Sequence, residues 1–118
     1  MAEQRRSDRL AKQLRSEIAA LIRDELDDPR IGELAVTGIR LSKDLGHARV
    51  YVHSLDDRPG RRKELLKGLE SARGFLRRAL SQRLAHLRKT PDLTFVYDTS
   101  LDAGTRVEEL LAEIESGE

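Results

Sequence analysis

The chain has 118 residues and a net charge of +1, with 38% hydrophobic and 36% charged residues. This length fits a single domain, residues 1–118, whose small core lies beneath a densely charged surface, and residues 1–4 and 115–118 are expected to be flexible. The lack of Cys excludes disulfides, thiolate nucleophiles and zinc–thiolate sites, and the longest apolar run, Ile18–Ile22, is far too short to cross a membrane.

The first predicted element is an amphipathic helix. Its apolar residues recur at helical spacing, at Leu10, Leu14, Ile18, Leu21 and Ile22. Ser7 is the predicted N-cap, and Asp28-Pro29 is the predicted stop. Basic residues form a second stripe along this helix, at Arg5, Arg9 and Lys12.

The next two elements are predicted to be the strands of an antiparallel hairpin. In the first strand, residues 34–41, the alternation of apolar residues changes parity around Thr37-Gly38, which predicts a β-bulge. Residues 43–46 form the predicted turn. In the second strand, the apolar residues Ala48, Val50 and Val52 alternate with polar ones, which indicates a half-buried strand.

Residues 61–89 are predicted to form two helices that meet at a bend. One apolar face precedes Gly74 and a second follows it, comprising Leu65, Leu66, Leu69 and Ala72, then Leu76, Ala79, Leu80, Leu84 and Leu87. Glycine within a helix is unfavourable by about 1 kcal/mol relative to alanine. We therefore expect a structural kink, with the two helices packed closely at Ala72 and Gly74.

A third strand and a final helix complete the predicted order α-β-β-α-α-β-α. The strand begins at Pro91 and alternates through Leu93 and Phe95. Thr105 and Glu108 match a capping box at the start of a short acidic helix.

The charges are distributed unevenly along the chain. Residues 61–89 contain ten Lys or Arg and two Glu, a net charge of +8, whereas residues 92–118 carry −7. This asymmetry favours a polyanionic partner, the alternative being a solvated helix face partly neutralised by the acidic end. The best candidates for binding RNA phosphates lie outside the apolar faces, at Lys67, Arg73, Arg77, Arg78, Arg88 and Lys89. The stripe at Arg5, Arg9 and Lys12 either extends this surface or is an ordinary exposed helix face.

No arrangement of side chains in the sequence predicts catalysis. His47, His53 and His86 lack metal-ligand spacing, and there is neither a glycine-rich phosphate loop nor a nucleophile motif. Phe75 and Phe95 are predicted to be core residues rather than platforms for stacking bases. The sequence thus predicts a protein that is not an enzyme and that uses no metal or cofactor.

Motifs along most of the chain resemble those of the ribosome-binding factor A family. In chain order they are Arg6-x-x-Arg9-Leu10-Ala11-x-Gln13-Leu14, Asp28-Pro29-Arg30-Ile31-Gly32, Val36-Thr37-Gly38-Ile39, Leu41-Ser42-Lys43-Asp44-Leu45, His47-Ala48-Arg49-Val50-Tyr51-Val52, Ser71-Ala72-Arg73-Gly74-Phe75-Leu76-Arg77 and residues 87–98. The resemblance covers the chain from about Arg5 to Leu111.

The resemblance implies a type II KH-like α+β fold, with three helices on one face of a three-stranded sheet. It implies an Ala72-x-Gly74 kink in place of the Gly-x-x-Gly loop of RNA-binding KH domains. It further implies a cytoplasmic assembly factor that binds the immature small ribosomal subunit near the 5′ helix and neck of its RNA. Such a factor aids late processing, particularly in the cold, and an assembly GTPase is implicated in its release.

Two other functions remain open alongside a monomeric assembly factor of this kind. One is a protein-interaction module, such as a homodimer joined through the acidic final helix and a basic face. The other is a general cold-shock RNA chaperone with no preference for immature subunits.

Overall fold

The computed structural model describes residues 2–101, which form two helices and a three-stranded sheet. In chain order the elements are α1 (Ala2–Glu25), β1 (Leu34–Leu41), β2 (His47–Ser54), α2 (Arg61–Arg83) and β3 (Asp92–Tyr97), followed by a 3₁₀ turn at Thr99–Leu101. The α+β class predicted from the sequence is confirmed. The predicted final helix, with its capping box at Thr105 and Glu108, lies outside the described residues.

Helix α1 buries the apolar stripe that the sequence predicts. Leu14 and Ile18 are fully buried, and Leu21 and Ile22 are nearly so. The predicted N-cap at Ser7 is wrong, because the helix already includes Ala2 and Ser7 lies within it. Its first turns contain good helix formers such as Gln4, whose side chain donates a hydrogen bond to Asp8 one turn later (2.9 Å).

Strands β1 and β2 form the predicted antiparallel hairpin. The pairing shifts by one residue between Val36 and Gly38, which confirms the bulge and leaves Thr37 outside the ladder. The turn is stabilised by Asp44, whose Oδ1 accepts hydrogen bonds from the Ser42 hydroxyl (2.7 Å) and the Gly46 N–H (2.9 Å).

Strand β3 adds to the other side of β2 and runs parallel to it, so the sheet order is β1-β2-β3. Ala48, Val50 and Val52 are fully buried on one face of β2, where both helices contribute to a single core cluster of the described residues. Since alternate strand residues point to opposite faces, Arg49 and Tyr51 point away from this core. We call that second surface, which neither α1 nor α2 covers, the open sheet face.

Helix α2 is continuous from Arg61 to Arg83, so the predicted division into two helices at Gly74 is wrong. The two apolar faces read from the sequence are one stripe, because its residues follow one another at intervals of three or four, at Leu65, Leu69, Ala72, Leu76 and Leu80. Burial of this stripe on both sides of Gly74 outweighs the weak helix propensity of a single glycine. The described residues therefore contain two α-helices on the sheet, not three.

The closely packed glycine of α2 is Gly68 rather than Gly74. A Cβ atom built on Gly68 would lie 2.7 Å from Cγ1 of Ile31, which is itself buried. At exposed Gly74, the same atom would meet only the flexible guanidinium end of Arg78, at 3.5 Å. Thus Gly68 lets α2 approach the segment after α1, whereas Gly74 faces solvent.

Asp98, just after β3, joins the two edges of the sheet. Its Oδ2 accepts a hydrogen bond from the hydroxyl of Thr37, the bulge residue of β1 (2.6 Å), and its Oδ1 accepts one from the Ser100 N–H (2.9 Å). Hydrogen bonds from Ser100, then from Thr37, lower the pKa of Asp98 to about 2.

We predict that Asp98→Asn reduces the acid sensitivity of folding. An unfolded Asp has a pKa of about 3.9, so the lowered folded pKa contributes stability that is complete above about pH 4 and is lost as the pH falls toward about 2. Urea unfolding between pH 7 and pH 2 should show a shallower decline for the variant than for the original chain. Thr37→Val, which keeps the carboxyl but removes one donor, should give an intermediate slope. Identical slopes in all three proteins would contradict the prediction.

No helix within residues 2–101 is both long and apolar enough to span a membrane.

Candidate nucleic-acid interface

All nine basic residues predicted to bind RNA have exposed side chains. Three of them lie on α1, four on α2, and two on the loop that joins α2 to β3. They are Arg5, Arg9 and Lys12; Lys67, Arg73, Arg77 and Arg78; and Arg88 and Lys89.

The α2 cations form two strips rather than one. Arg73 and Arg77 are about one turn apart and project to the same side of the helix. Lys67 and Arg78 are about three turns apart and share a second direction, about 110° around the axis from the first. The cations therefore cover the outer surface of α2 and the flank that approaches β3.

Arg73 and Arg77 line a groove between α2 and the start of β3, together with His47 and Thr94. The Nε of Arg77 lies 3.1 Å from Oδ1 of Asp92, and its Nη2 donates to the Thr90 carbonyl (3.4 Å). The guanidinium of Arg73 lies 3.2 Å from Oε1 of Glu70. Both ion pairs are largely exposed to solvent, and exposed pairs contribute little stability. A phosphate group could therefore replace either carboxylate with little loss of folding stability.

The loop cations extend this surface toward the hairpin turn. Lys89 acts electrostatically on Asp44, whose pKa is lowered mainly by hydrogen bonds from Gly46 and Ser42 and further by the Lys89 charge. Arg6 and Ser7 of α1 border the same turn. The basic residues of α1 and those of the loop between α2 and β3 thus approach each other at the hairpin turn.

The basic stripe of α1 points away from its packed face. Arg5, Arg9 and Lys12 lie on the side of the helix opposite Leu14 and Ile18, which face the core. The acidic residue Glu17 of α1 pairs with α2 instead of with this stripe, since its Oε2 accepts a hydrogen bond from Arg83 (3.1 Å). The two helices lie side by side on one sheet face, so their basic outer surfaces are on the same side of the molecule.

Several of the cations have no acidic partner within residues 2–101. Unlike Arg73 and Arg77, they form no ion pair among the described residues: Arg5, Arg9, Lys12, Lys67, Arg78 and Arg88. Unpaired, exposed cations are the groups that a polyanion can neutralise without first displacing a carboxylate.

The aromatic residues lie in different surroundings. Phe75, which was predicted to be in the core, is 40% exposed, because its position on α2 lies outside the stripe that faces the sheet, so that prediction is wrong. Phe95 does pack against the core as predicted. The Tyr97 ring is occupied by the guanidinium of Arg62, whose Cζ lies 4.6 Å from the ring centroid.

The sequence did not single out two further arginines, Arg40 and Arg49, which are also exposed. They are direct partners in the β1–β2 pairing, and Arg49 is also the register partner of Thr94 on β3. The alternation in β2 indicated the orientation of Arg49, but the position of Arg40 depends on the bulge at Thr37.

Comparisons with known proteins agree with this fold. The family model described as ribosome-binding factor A matches residues 6–111. The chain is 42% identical to the ribosome-binding factor A of Moorella thermoacetica over 120 aligned positions, covering 100% of this chain and 97% of that protein. It is also similar to the crystal structure of ribosome-binding factor A from Thermus thermophilus, with a TM-score of 0.68, 33% identity, and coverage of 77% of this chain and 93% of that one. A homology model of the T. thermophilus ribosome binding factor A, fitted into a cryo-EM map of a 30S–RbfA complex, gives a TM-score of 0.63 with 34% identity, covering 78% of this chain and 94% of that one.

Proposed function

The chain belongs to the ribosome-binding factor A family, and from this we propose that it binds the RNA of the immature small ribosomal subunit and aids its late maturation and processing. The protein acts by binding, without catalysing a step and without a metal or cofactor. One observation carries the proposal: from Arg73 to Lys89 every charged side chain is basic and exposed.

The absence of acidic residues in that segment supports a phosphate-binding surface. A helix that only faces solvent usually mixes both signs of charge, which form pairs at intervals of three or four residues. Residues 71–91 contain no Asp or Glu, and the carboxylate that pairs with Arg77 comes from β3. Binding energy would come from release of counterions as these cations neutralise phosphates.

The rigid packing of α2 on the sheet supports a mechanism in which the protein holds one local RNA conformation. The buried stripe of α2 fixes the directions of its basic strips, so the RNA must adapt to the protein. Binding in this way delays the joining of subunits until maturation is complete. The acidic residues 102–118 repel phosphate and so favour approach of the RNA from the basic side.

We further infer that the fold is a variant of the type II KH arrangement. The element order α-β-β-α-β and the single covered sheet face support this inference. The single helix α2 spans most of the region of the two expected helices, and a hydrogen-bonded turn follows it at residues 84–86, where the Leu87 N–H donates to the Leu84 carbonyl (2.9 Å). The protein acts in the cytoplasm as a monomer, and an assembly GTPase takes part in its release.

Co-sedimentation with purified ribosomal subunits tests this function. The full chain should bind precursor small subunits more tightly than mature small subunits, and should not bind large subunits. Equal binding to all three would instead support a general RNA chaperone. Self-association at two protein concentrations without binding to any subunit would support a protein-interaction module.

A further inference from the structure

The open sheet face carries a cationic pair that the folding of the sheet does not require. Arg40 and Arg49 lie directly opposite each other on β1 and β2, and both are exposed. Side chains at such positions have Cβ atoms about 4.5–5.5 Å apart, and like charges there destabilise the strand pair. A repulsive pair one position from the turn end of the hairpin ladder therefore calls for another explanation.

Neither arginine is neutralised within the described part of the chain. Arg40 and Arg49 take part in no ion pair and no side-chain hydrogen bond among residues 2–101. Among the described strands, Asp92 is the one acidic residue at an outward-facing position, and it pairs with Arg77. The open sheet face thus presents two adjacent guanidinium groups that form no ion pair with any residue between 2 and 101.

The pair is continuous with the basic surface of α2. Thr94 lines the groove that holds Arg73 and Arg77, and it is also the register partner of Arg49. The Thr94 hydroxyl lies 2.8 Å from Nε2 of His47, which points to the same face. With strands about 4.8 Å apart, Arg40 is about 10 Å from Thr94 across the sheet. Polar and cationic groups therefore extend from α2, around the β3 edge, to β1.

We propose that the open sheet face is a second RNA-contacting surface, on which Arg40 and Arg49 together bind one backbone phosphate of the small-subunit RNA. This proposal rests on the proposed function and extends it from the helices to the sheet. Two neighbouring guanidinium groups match a phosphate well, since each can donate two parallel hydrogen bonds to its oxygens. Binding of the phosphate also removes the repulsion that the pair experiences in the free protein.

The test is a salt titration of the full chain binding to precursor small subunits, with the variant Arg40→Gln/Arg49→Gln. Loss of one phosphate contact should reduce the magnitude of the log–log salt slope by about 0.7–0.9 and weaken binding about five- to tenfold at about 0.1 M salt. The melting temperature should stay the same or rise, because the like-charge pair is removed. A merely misfolded variant would instead melt at a lower temperature.

The matched control is Arg23→Gln/Arg58→Gln. It removes two exposed arginines that already lie against Asp24 and Asp56. If the Arg40/Arg49 variant binds like this control while the original chain binds normally, the open sheet face is not an RNA surface and the proposal is overturned. Failure of the original chain to bind would instead overturn the proposed function itself.

The alternative occupant of this face is the acidic segment of residues 102–118, which carries six acids and one Arg. Replacing Glu108, Glu109, Glu113 and Glu115 with Gln in the full chain distinguishes the two. If replacing Arg40 and Arg49 no longer changes RNA binding once these four glutamates are neutral, the face serves the acidic segment and the proposal is overturned. An equal loss of RNA binding in both backgrounds supports RNA contact by the arginine pair.

Discussion

Replacing Lys67, Arg78, Arg88 and Lys89 together with alanine is expected to weaken binding to precursor small subunits about a thousandfold at about 0.1 M monovalent salt. Each contact with a phosphate contributes about 0.7–0.9 to the magnitude of the salt slope, so four lost contacts should reduce it by about three. All four side chains are exposed, and none lies in an ion pair among residues 2–101. Their removal therefore leaves no carboxylate without a partner within the described structure.

The measurement is the dissociation constant between about 0.05 and 0.3 M salt, with far-ultraviolet circular dichroism to verify folding. Arg23→Ala/Arg58→Ala is the control, because these two arginines are not among the nine cations of the candidate interface. Each also lies against a neighbouring Asp, and the Arg58 guanidinium donates three hydrogen bonds to Asp56. This control should leave the slope nearly unchanged. A slope that stays the same in the fourfold variant would remove these residues from the interface.

The same Gly→Ala change should have opposite effects at two positions of α2. Gly74→Ala should stabilise the protein by about 1 kcal/mol, since alanine favours the helix and the new methyl group makes only an ordinary contact with the flexible end of Arg78 (3.5 Å). Gly68→Ala gains the same helix preference but forces a methyl group to 2.7 Å from the buried Ile31 side chain. Overpacking of this kind costs about 1–3 kcal/mol, so after the gain in helix preference a net loss of up to about 2 kcal/mol is expected.

Urea unfolding of both variants tests this pair, with the midpoint as the readout at constant m-value. The two variants should differ by about 1–3 kcal/mol in the free energy of unfolding, which is the cost of overpacking at Gly68, because both gain the same helix preference. If Gly74→Ala is the more destabilising of the two, then Gly74 is the closely packed position and the structural interpretation of α2 is incorrect.

Local patterns made the hairpin predictable and left the rest of the sheet undetermined. The parity change at Thr37 belongs to β1 alone, so the bulge can be read from neighbouring residues. The parallel pairing of β3 with β2 depends on the path of the chain through α2, and no pattern among neighbouring residues indicates that path. The break predicted at Gly74 failed for a related reason, because a glycine signal was given more weight than the unbroken apolar stripe around it.

In the candidate interface, too, local patterns predicted some features, and contacts between distant segments determined the others. Excluding the apolar faces was enough to identify the seven exposed cations on α1 and α2, since helix periodicity sets which side chains face solvent. The other two, Arg88 and Lys89, are exposed because they lie on the loop after α2. The sequence could not show that Arg77 pairs with Asp92, because the two residues meet only after β3 has joined the sheet. The juxtaposition of Arg40 and Arg49 was hidden as well, since it follows from the register beyond the bulge.

The hydrogen bond between Thr37 and Asp98 has a consequence for how alignment errors in the sheet are avoided. A strand that slides by one residue exchanges its inward and outward side chains, and a parallel strand has no tight turn to prevent this. Asp98 follows β3 directly and is bonded to a hydroxyl on the far strand, 61 residues earlier in the chain. Sliding of β3 by one residue would break that bond and turn Leu93 out of the core. The contact thereby adds to the backbone ladder between β2 and β3 in holding Thr94 beside Arg49.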